Sequence, residues 1–182
     1  MTRTDPASPV EPGSTVKGAG HERDKTCALY TADERKRRDE SVWTVVQGVL
    51  APVQFLVFLI SLGLVLRTLS TGEGAWAADA SIVVKTLVLY TIMITGSIWE
   101  KVVFGKWLFA PAFFWEDVFS MLVLALHSLY LVMLFAGIGS TEQRLLVALA
   151  GYGAYIINAG QFLWKLRMAR LEGAMSPQAV TA

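Results

Sequence analysis

This chain contains few of the residues that cofactor-dependent enzymes need. It has one cysteine, Cys27, and only two histidines, His21 and His127. These numbers exclude an intramolecular disulfide and leave no basis for a zinc, haem, iron–sulfur or histidine-rich di-iron centre. The sequence also lacks a phosphate-binding P-loop and a glycine-rich dinucleotide fingerprint. An enzyme with this sequence is therefore expected to use acid–base chemistry, with no cofactor and no metal ion of its own.

Apolar residues, by contrast, make up 54% of the 182 residues. That excess predicts one integral membrane domain rather than a soluble core. Residues 1–41 differ, because they are polar, carry a basic run at 35–38 and lack the apolar stretch of a secretion signal. We predict a largely disordered tail over 1–41, a transmembrane domain over 42–170 and a second tail over 171–182.

Four apolar runs are long enough to cross a bilayer as helices, which takes about 20 residues. They span residues 43–66, 82–104, 115–135 and 145–164. None alternates with the period of two that a membrane β-barrel needs. The sequence predicts an all-α integral membrane fold, a four-transmembrane-helix bundle. Pro52 lies inside the first run and is expected to kink it.

The net charge of +1 hides an uneven distribution of basic residues. Residues 35–38, the second loop and the carboxyl flank are rich in lysine and arginine. The first and third loops have only Arg67 and Arg144, beside acidic residues. Because cytoplasmic loops carry the excess of positive charge, both termini and the second loop are expected to face the cytoplasm of a multi-pass protein.

Each predicted span presents one polar stripe at helical spacing. The stripes contain Gln47, Gln54 and Ser61 on the first span; Thr86, Gly96 and Glu100 on the second; Glu116, Ser120, His127 and Tyr130 on the third; and Asn158, Gln161 and Lys165 on the fourth. We expect all four stripes to turn inward. Most of these amides and hydroxyls are interpreted as hydrogen-bonding contacts between helices.

Three carboxylates, Glu100, Glu116 and Asp117, lie where two spans meet the short second loop. A carboxylate beside hydrocarbon is costly, so such residues pair, face a bundle interior or do chemistry. Pairing of Glu100 with Lys101 or Lys106 is one alternative, and capping of helix amides by Asp117 is another. Chemistry by Glu100 and Glu116 is the third.

Aromatic residues surround these carboxylates, notably Trp99, Phe113, Phe114 and Trp115. They suit either an interfacial belt or the wall of a pocket for a flat, conjugated ligand. His127 lies about 16 Å deeper than Glu116 at 1.5 Å per residue. It is interpreted either as a hydrogen-bonded helix contact or as a ligand to the metal of a tetrapyrrole.

Two long runs resemble the 3-vinyl (bacterio)chlorophyllide hydratase family of anoxygenic phototrophs. They are LYTADERKRRDESVWTVVQGVLAPVQFLVFLISLGLVLR and ASIVVKTLVLYTIMITGSIWEKVVFGKWLFAPAFFWEDVFSMLVLALHSLYL. Together they lie between Leu29 and Leu131, and the stretch from Ile98 to His127 is the most specific. The resemblance implies a lyase that adds water to the C3-vinyl group of chlorophyllide a, giving a 3-(1-hydroxyethyl) product for bacteriochlorophyll synthesis. It also implies the inner membrane of a bacterium.

Hydration of this kind needs an acid for the terminal vinyl carbon and a base for the attacking water. Glu116 is the candidate acid, Asp117 its neighbour, and Glu100 the candidate base. His127 is a candidate ligand for the substrate magnesium, and Lys101, Lys106 or Arg38 could hold the propionate. Further candidate substrate contacts are Trp99, Phe113, Phe114, Trp115 and Tyr130.

Two other functions remain open from the sequence. A non-catalytic protein that binds or hands over (bacterio)chlorophyll would need His127 and the aromatic loop but not the carboxylates. A small transporter or a subunit of a membrane complex is less well supported, because no internal repeat is present. Expected partners are the Mg-chlorin substrate and the lipid bilayer, with neighbouring biosynthetic enzymes or a second copy of the chain as further options. Nucleic acid is not expected.

Overall fold

The computed structural model describes the backbone of residues 29–175 and the side chains of residues 29–171. This part of the chain forms five helices: α1 (Ala32–Glu40), α2 (Val42–Thr71), α3 (Ala75–Phe104), α4 (Phe114–Phe135) and α5 (Thr141–Met175). Helices α2 to α5 are long and apolar enough to cross a membrane, and no β-strand occurs between residues 29 and 175. The predicted all-α membrane fold with four spans is confirmed.

The helices extend beyond the apolar runs that predicted them. Ser70 and Thr71 continue α2 past the run, and both hydroxyls donate to the Arg67 carbonyl, at 2.9 and 2.8 Å. Gly72, with φ of 75°, then ends the helix in a left-handed conformation that glycine adopts without strain. The segment between the first two predicted spans, 43–66 and 82–104, is thus reduced to residues 72–74. Helix α2 continues through Pro52.

The end of the predicted disordered tail is ordered as helix α1. Thr31 and Glu34 form a reciprocal capping box, in which each side chain accepts a hydrogen bond from the other's backbone amide. Arg37 then fastens α1 to the bundle, because its Nε donates to the Val103 carbonyl at 2.9 Å. The capping box is local, whereas the Arg37 contact reaches a distant part of the chain, and together they hold a segment too polar to have a core of its own. The rest of the tail, residues 1–28 with Cys27, lies outside the described residues, as do residues 176–182.

The bundle consists of two antiparallel hairpins. Helix α2 packs along α3 and α4 along α5, whereas far fewer contacts join α3 to α4 or α2 to α5. The polar stripes turn inward as expected. Buried polar residues include Gln54, Ser61, Thr86, Glu100, Glu116, Ser120, His127 and Asn158. The end of the bundle that holds Glu100, Asp117 and α1 is called the acidic end below.

Candidate active site

Glu100 and Asp117 form a buried carboxyl pair at the acidic end. Glu100 is in the last two turns of α3 and Asp117 is in the first turn of α4, and their exposed fractions are 5% and 4%. The two carboxyl groups are close enough to hydrogen-bond each other. A hydrogen bond between two carboxyl groups requires one proton. The geometry therefore favours a pair that holds a single proton and a single negative charge.

The loop between α3 and α4, residues 105–113, closes over this pair. The Phe109 amide donates to Asp117 Oδ2 at 2.7 Å, and the Ala110 amide donates to Glu100 Oε2 at 3.2 Å. Phe109 adopts a φ of 58°, which is strained for a residue with a large side chain. The backbone turn that aims two adjacent amides at the carboxyl pair thus requires an unfavourable conformation at Phe109.

Glu116 points away from that pair although it precedes Asp117 in sequence. Its Oε2 accepts from Lys165 Nζ at 2.6 Å, and the same ammonium also donates to the Ala112 carbonyl. Lys165 is on α5, so this ion pair joins the two helices of one hairpin. Glu116 therefore has the geometry of a structural contact, and Asp117 takes its place beside Glu100.

The predicted aromatic wall separates into two groups. Trp99 and Phe113 pack with Tyr30, Phe104 and Phe162 in an aromatic cluster behind the loop, with ring centroids 5.6–6.3 Å apart for the contacting pairs. Burial raises the pKa of the Tyr30 phenol above its ordinary value, so this ring remains neutral. The cluster attaches the start of the described chain to the loop and to α5.

Phe114 and Trp115 form the second group and face outward. Their exposed fractions are 45% and 65%, as expected for side chains at a membrane boundary. Lys101 and Lys106 are also exposed, and neither pairs with Glu100. Lys101 instead donates to the Gly105 carbonyl at 2.9 Å and so covers the end of α3.

His127 lies in a second buried group of polar side chains, about 15 Å from Asp117 along α4. Its Nε2 is 2.9 Å from Lys85 Nζ and its Nδ1 is 2.8 Å from the Val123 carbonyl. Gly151 packs against the ring so closely that an added Cβ would lie 2.9 Å from Cε1. Both ring nitrogens are engaged and the residue is 1% exposed, so the geometry does not favour a bond from His127 to a substrate magnesium.

Tyr130 also lies away from the acidic end, about 20 Å from Asp117 along α4. Its hydroxyl donates to Asp79 Oδ1, and Asp79 Oδ2 is 3.8 Å from Arg144. These contacts hold α3, α4 and α5 together near the opposite end of the bundle. Tyr130 is thus placed as a helix contact rather than beside the carboxyl pair.

A family model described as 2-vinyl bacteriochlorophyllide hydratase matches residues 30–168 of this chain. The 2-vinyl bacteriochlorophyllide hydratase of Cereibacter sphaeroides is 64% identical over 158 residues, which cover 87% of this chain and 95% of that protein. The protein of the same name from Rhodobacter capsulatus is 65% identical over 147 residues, covering 81% and 85%. This chain belongs to the 2-vinyl bacteriochlorophyllide hydratase family. No solved structure matches it.

Membership of this family confirms the resemblance seen in the sequence and extends it through the fourth span. The hydratase names do not identify catalytic residues, so the roles of Glu100, Glu116 and Asp117 rest on geometry. Among residues 29–171, no cluster of three or more His, Cys, Asp and Glu side chains is arranged to hold a metal ion.

Sequence reasoning missed Lys85. This residue is fully buried, and its Nζ faces the rings of Tyr155, Tyr152 and Phe58 at 4.5, 5.1 and 5.9 Å from their centroids. A lysine three residues inside an apolar run is itself a signal, since intramembrane ionisable residues usually have a specific partner. The partner, His127, could not be identified because it lies 42 residues away on another helix.

Proposed function

We propose that this chain adds one molecule of water across the vinyl group of a bacteriochlorophyll precursor, chlorophyllide a or its 3-vinyl bacteriochlorophyllide counterpart. The vinyl-bearing carbon is numbered 2 in the names of the relatives and 3 in the names used for the substrate here. The reaction breaks the C=C π bond and one O–H bond of water and forms one C–H and one C–O bond, giving a 1-hydroxyethyl group. No electrons are gained or lost overall, so acid–base groups suffice.

The single observation that carries the mechanism is the buried Glu100–Asp117 pair. The proton that the pair holds is transferred to the terminal vinyl carbon, which leaves a cation at the inner carbon, delocalised into the macrocycle. The pair then carries two negative charges next to that cation and stabilises it. One of the carboxylates takes a proton from the attacking water, and this step returns the pair to its starting state.

The assignment differs from the sequence-based hypothesis in one residue. Glu116 was the candidate acid, but its carboxylate is held by Lys165 on the α5 side. Asp117 lies about 100° further around α4 and therefore faces α3, where Glu100 is. We assign the acid–base roles to Glu100 and Asp117 jointly, because a pair that shares a proton titrates as one unit.

The distribution of basic residues supports an orientation. The acidic end carries residues 35–38, Lys101, Lys106 and Lys165, whereas the opposite end has Arg67 and Arg144. We place the acidic end and both termini on the cytoplasmic side of a bacterial inner membrane.

The first experiment is a direct assay. The full chain in detergent is incubated with chlorophyllide a, and the product is followed by absorbance and mass. We expect a gain of the mass of one water, with Glu100→Gln and Asp117→Asn each reducing the rate by about 10² to 10⁴. Glu116→Gln is the matched control, since it removes a neighbouring carboxylate that does not face the pair.

The outcomes separate the alternatives. Pigment binding without any gain of mass would contradict the hydratase proposal and support the non-catalytic binding function. Hydration that is lost in Glu116→Gln but retained in Glu100→Gln would return the acid role to Glu116.

A further inference from the structure

The carboxyl pair is closed to a large substrate on most sides. The loop backbone at Phe109 and Ala110 covers it at the end of the bundle, and Ala110 is fully buried. On the α5 side are the Glu116–Lys165 ion pair and the buried ring of Phe113. The seam between α3 and α4, on which Glu100 and Asp117 themselves lie, is a direction from which a macrocycle could present a vinyl group to the pair.

This seam contains an open groove. It is lined by Tyr90, Met93 and Ile94 of α3 and by Leu124 and Ser128 of α4, with a volume of about 330 Å³. Helices α3 and α4 belong to different hairpins and make few contacts with each other. The groove therefore lies on one of the two loosely packed seams between the hairpins.

The groove is in register with the carboxyl pair. Met93 is seven residues before Glu100 on α3, and Leu124 is seven residues after Asp117 on α4. Seven residues are nearly two full helical turns, so Met93 and Leu124 lie on the same faces as Glu100 and Asp117, about 10 Å further along each helix. The groove and the pair are thus two parts of one continuous seam.

We propose that the groove between α3 and α4 binds the macrocycle of the substrate, which enters sideways from the bilayer with its vinyl group directed along the seam towards Glu100 and Asp117. This inference rests on the proposed function and identifies where its substrate binds. The distance of about 10 Å from Met93 or Leu124 to the carboxylates is less than the width of a tetrapyrrole. One ring edge can therefore occupy the groove while the opposite edge reaches the pair.

The lining suits a flat, conjugated occupant. Met93 and Leu124 provide apolar surface, and a thioether makes favourable contacts with aromatic systems. At the far end Tyr90 and Ser128 are joined through their hydroxyl oxygens at 2.8 Å, and the Ser128 hydroxyl donates to the Leu124 carbonyl. This geometry makes Tyr90 the donor to Ser128 and leaves an acceptor lone pair on its oxygen. A substrate with polar edges can use such a group, whereas a lipid acyl chain cannot.

Filling the groove tests the proposal. Met93→Trp and Leu124→Trp are made in the full chain, with Val84→Trp and Leu122→Trp as controls. The control positions lie on the same helices and are exposed, and at 100° per residue they face away from Met93 and Leu124. Chlorophyllide a binding is measured in nanodiscs by pigment fluorescence in a Glu100→Gln background, and the hydration rate is measured with Glu100 intact.

We expect each groove-filling change to weaken chlorophyllide binding about tenfold or more and to lower kcat/KM in parallel, whereas both controls match the parent. Equal binding by all four variants would overturn the proposal and indicate that lipid, not the substrate, occupies the groove. Failure of the hydratase proposal has a different signature. The unmodified chain would then produce no hydrated pigment, whatever the groove variants do to binding.

A second measurement does not require the protein to accommodate a tryptophan in the groove. In a Cys27→Ser background, Met93→Cys and the control Val84→Cys are labelled with a thiol reagent in nanodiscs. Added chlorophyllide a is expected to slow labelling at position 93 and to leave the rate at position 84 unchanged. Equal labelling with and without pigment at position 93 would contradict occupation of the groove.

Discussion

Two regions of this bundle bury ionisable side chains, and they differ in what surrounds them. At the acidic end, Glu100 and Asp117 lie beside each other beneath two backbone amides, where α3 meets α4. In the middle of the bundle, Lys85 and His127 bond to each other and are enclosed by aromatic rings. Burial of a charged group therefore does not by itself identify a reactive site. In the proposed mechanism, the proton held by the carboxyl pair and the approach along the α3–α4 seam distinguish the first region from the second.

The largest expected effect tests whether Glu100 and Asp117 act together as one pair or independently of each other. If Glu100 and Asp117 act as one acid–base pair, the double variant Glu100→Gln/Asp117→Asn should lose no more activity than the worse of the two single variants, about 10² to 10⁴. The measurement is the initial hydration rate of chlorophyllide a for all four proteins. Losses that multiply in the double variant would show that the two carboxylates act independently.

The pH profile of the same reaction should differ between these proteins. A pair that must hold one proton is inactive when it holds none or two, so kcat/KM in the unmodified chain should be bell-shaped. Glu100→Gln leaves one titrating carboxyl group, so the pH profile of its residual activity should lose one of the two limbs. An unchanged shape would exclude Glu100 as one of the two groups.

The next effect concerns stability rather than chemistry. Lys165→Met leaves the Glu116 carboxylate, whose side chain is 6% exposed, without its cation. The expected loss is roughly 3 kcal/mol or less, since Lys165 itself is a quarter exposed. The double variant Glu116→Gln/Lys165→Met should recover much of that loss. Thermal unfolding in detergent measures both, and a double variant as unstable as Lys165→Met would contradict the assignment.

Gly151→Ala tests how tightly the mid-bundle region is packed. An added Cβ would meet His127 Cε1 at 2.9 Å and Nδ1 at 3.0 Å, and two hydrogen bonds hold that ring in place. We expect a destabilisation of about 1–3 kcal/mol. Gly153→Ala is the matched control, because its Cβ would meet none of the described atoms within 4 Å. Equal unfolding temperatures for the two variants would show that the ring can move aside.

The smallest effect is expected on pigment affinity. His127 has both nitrogens engaged and lies in a closed part of the bundle, so His127→Ala should leave the affinity for chlorophyllide a unchanged while lowering stability. A fluorescence titration of a folded variant decides this. A large loss of affinity for the Mg-chlorin, with the Mg-free pigment unaffected, would restore His127 as a magnesium ligand.

Particular residues show how far the sequence could be interpreted. The four spans and their inward polar stripes were predictable, because bilayer thickness and helical periodicity act on neighbouring residues. The region from Trp99 to Asp117 could be chosen as a candidate site for the same reason, since carboxylates rarely border apolar runs without a specific partner or role. The order of residues 32–40 was missed, because it depends on the contact of Arg37 with Val103 across 66 residues.

By itself, the sequence determined that this protein is a four-span helical membrane protein with its carboxylates at one end, because apolar runs and charge are local properties. Only the tertiary structure decided which carboxylates meet. Glu116 and Asp117 are adjacent in sequence, yet the 100° between successive residues on a helix turns one towards Lys165 on α5 and the other towards Glu100 on α3. The identity of a partner on another helix depends on packing between elements far apart in the chain, and no local pattern contains it.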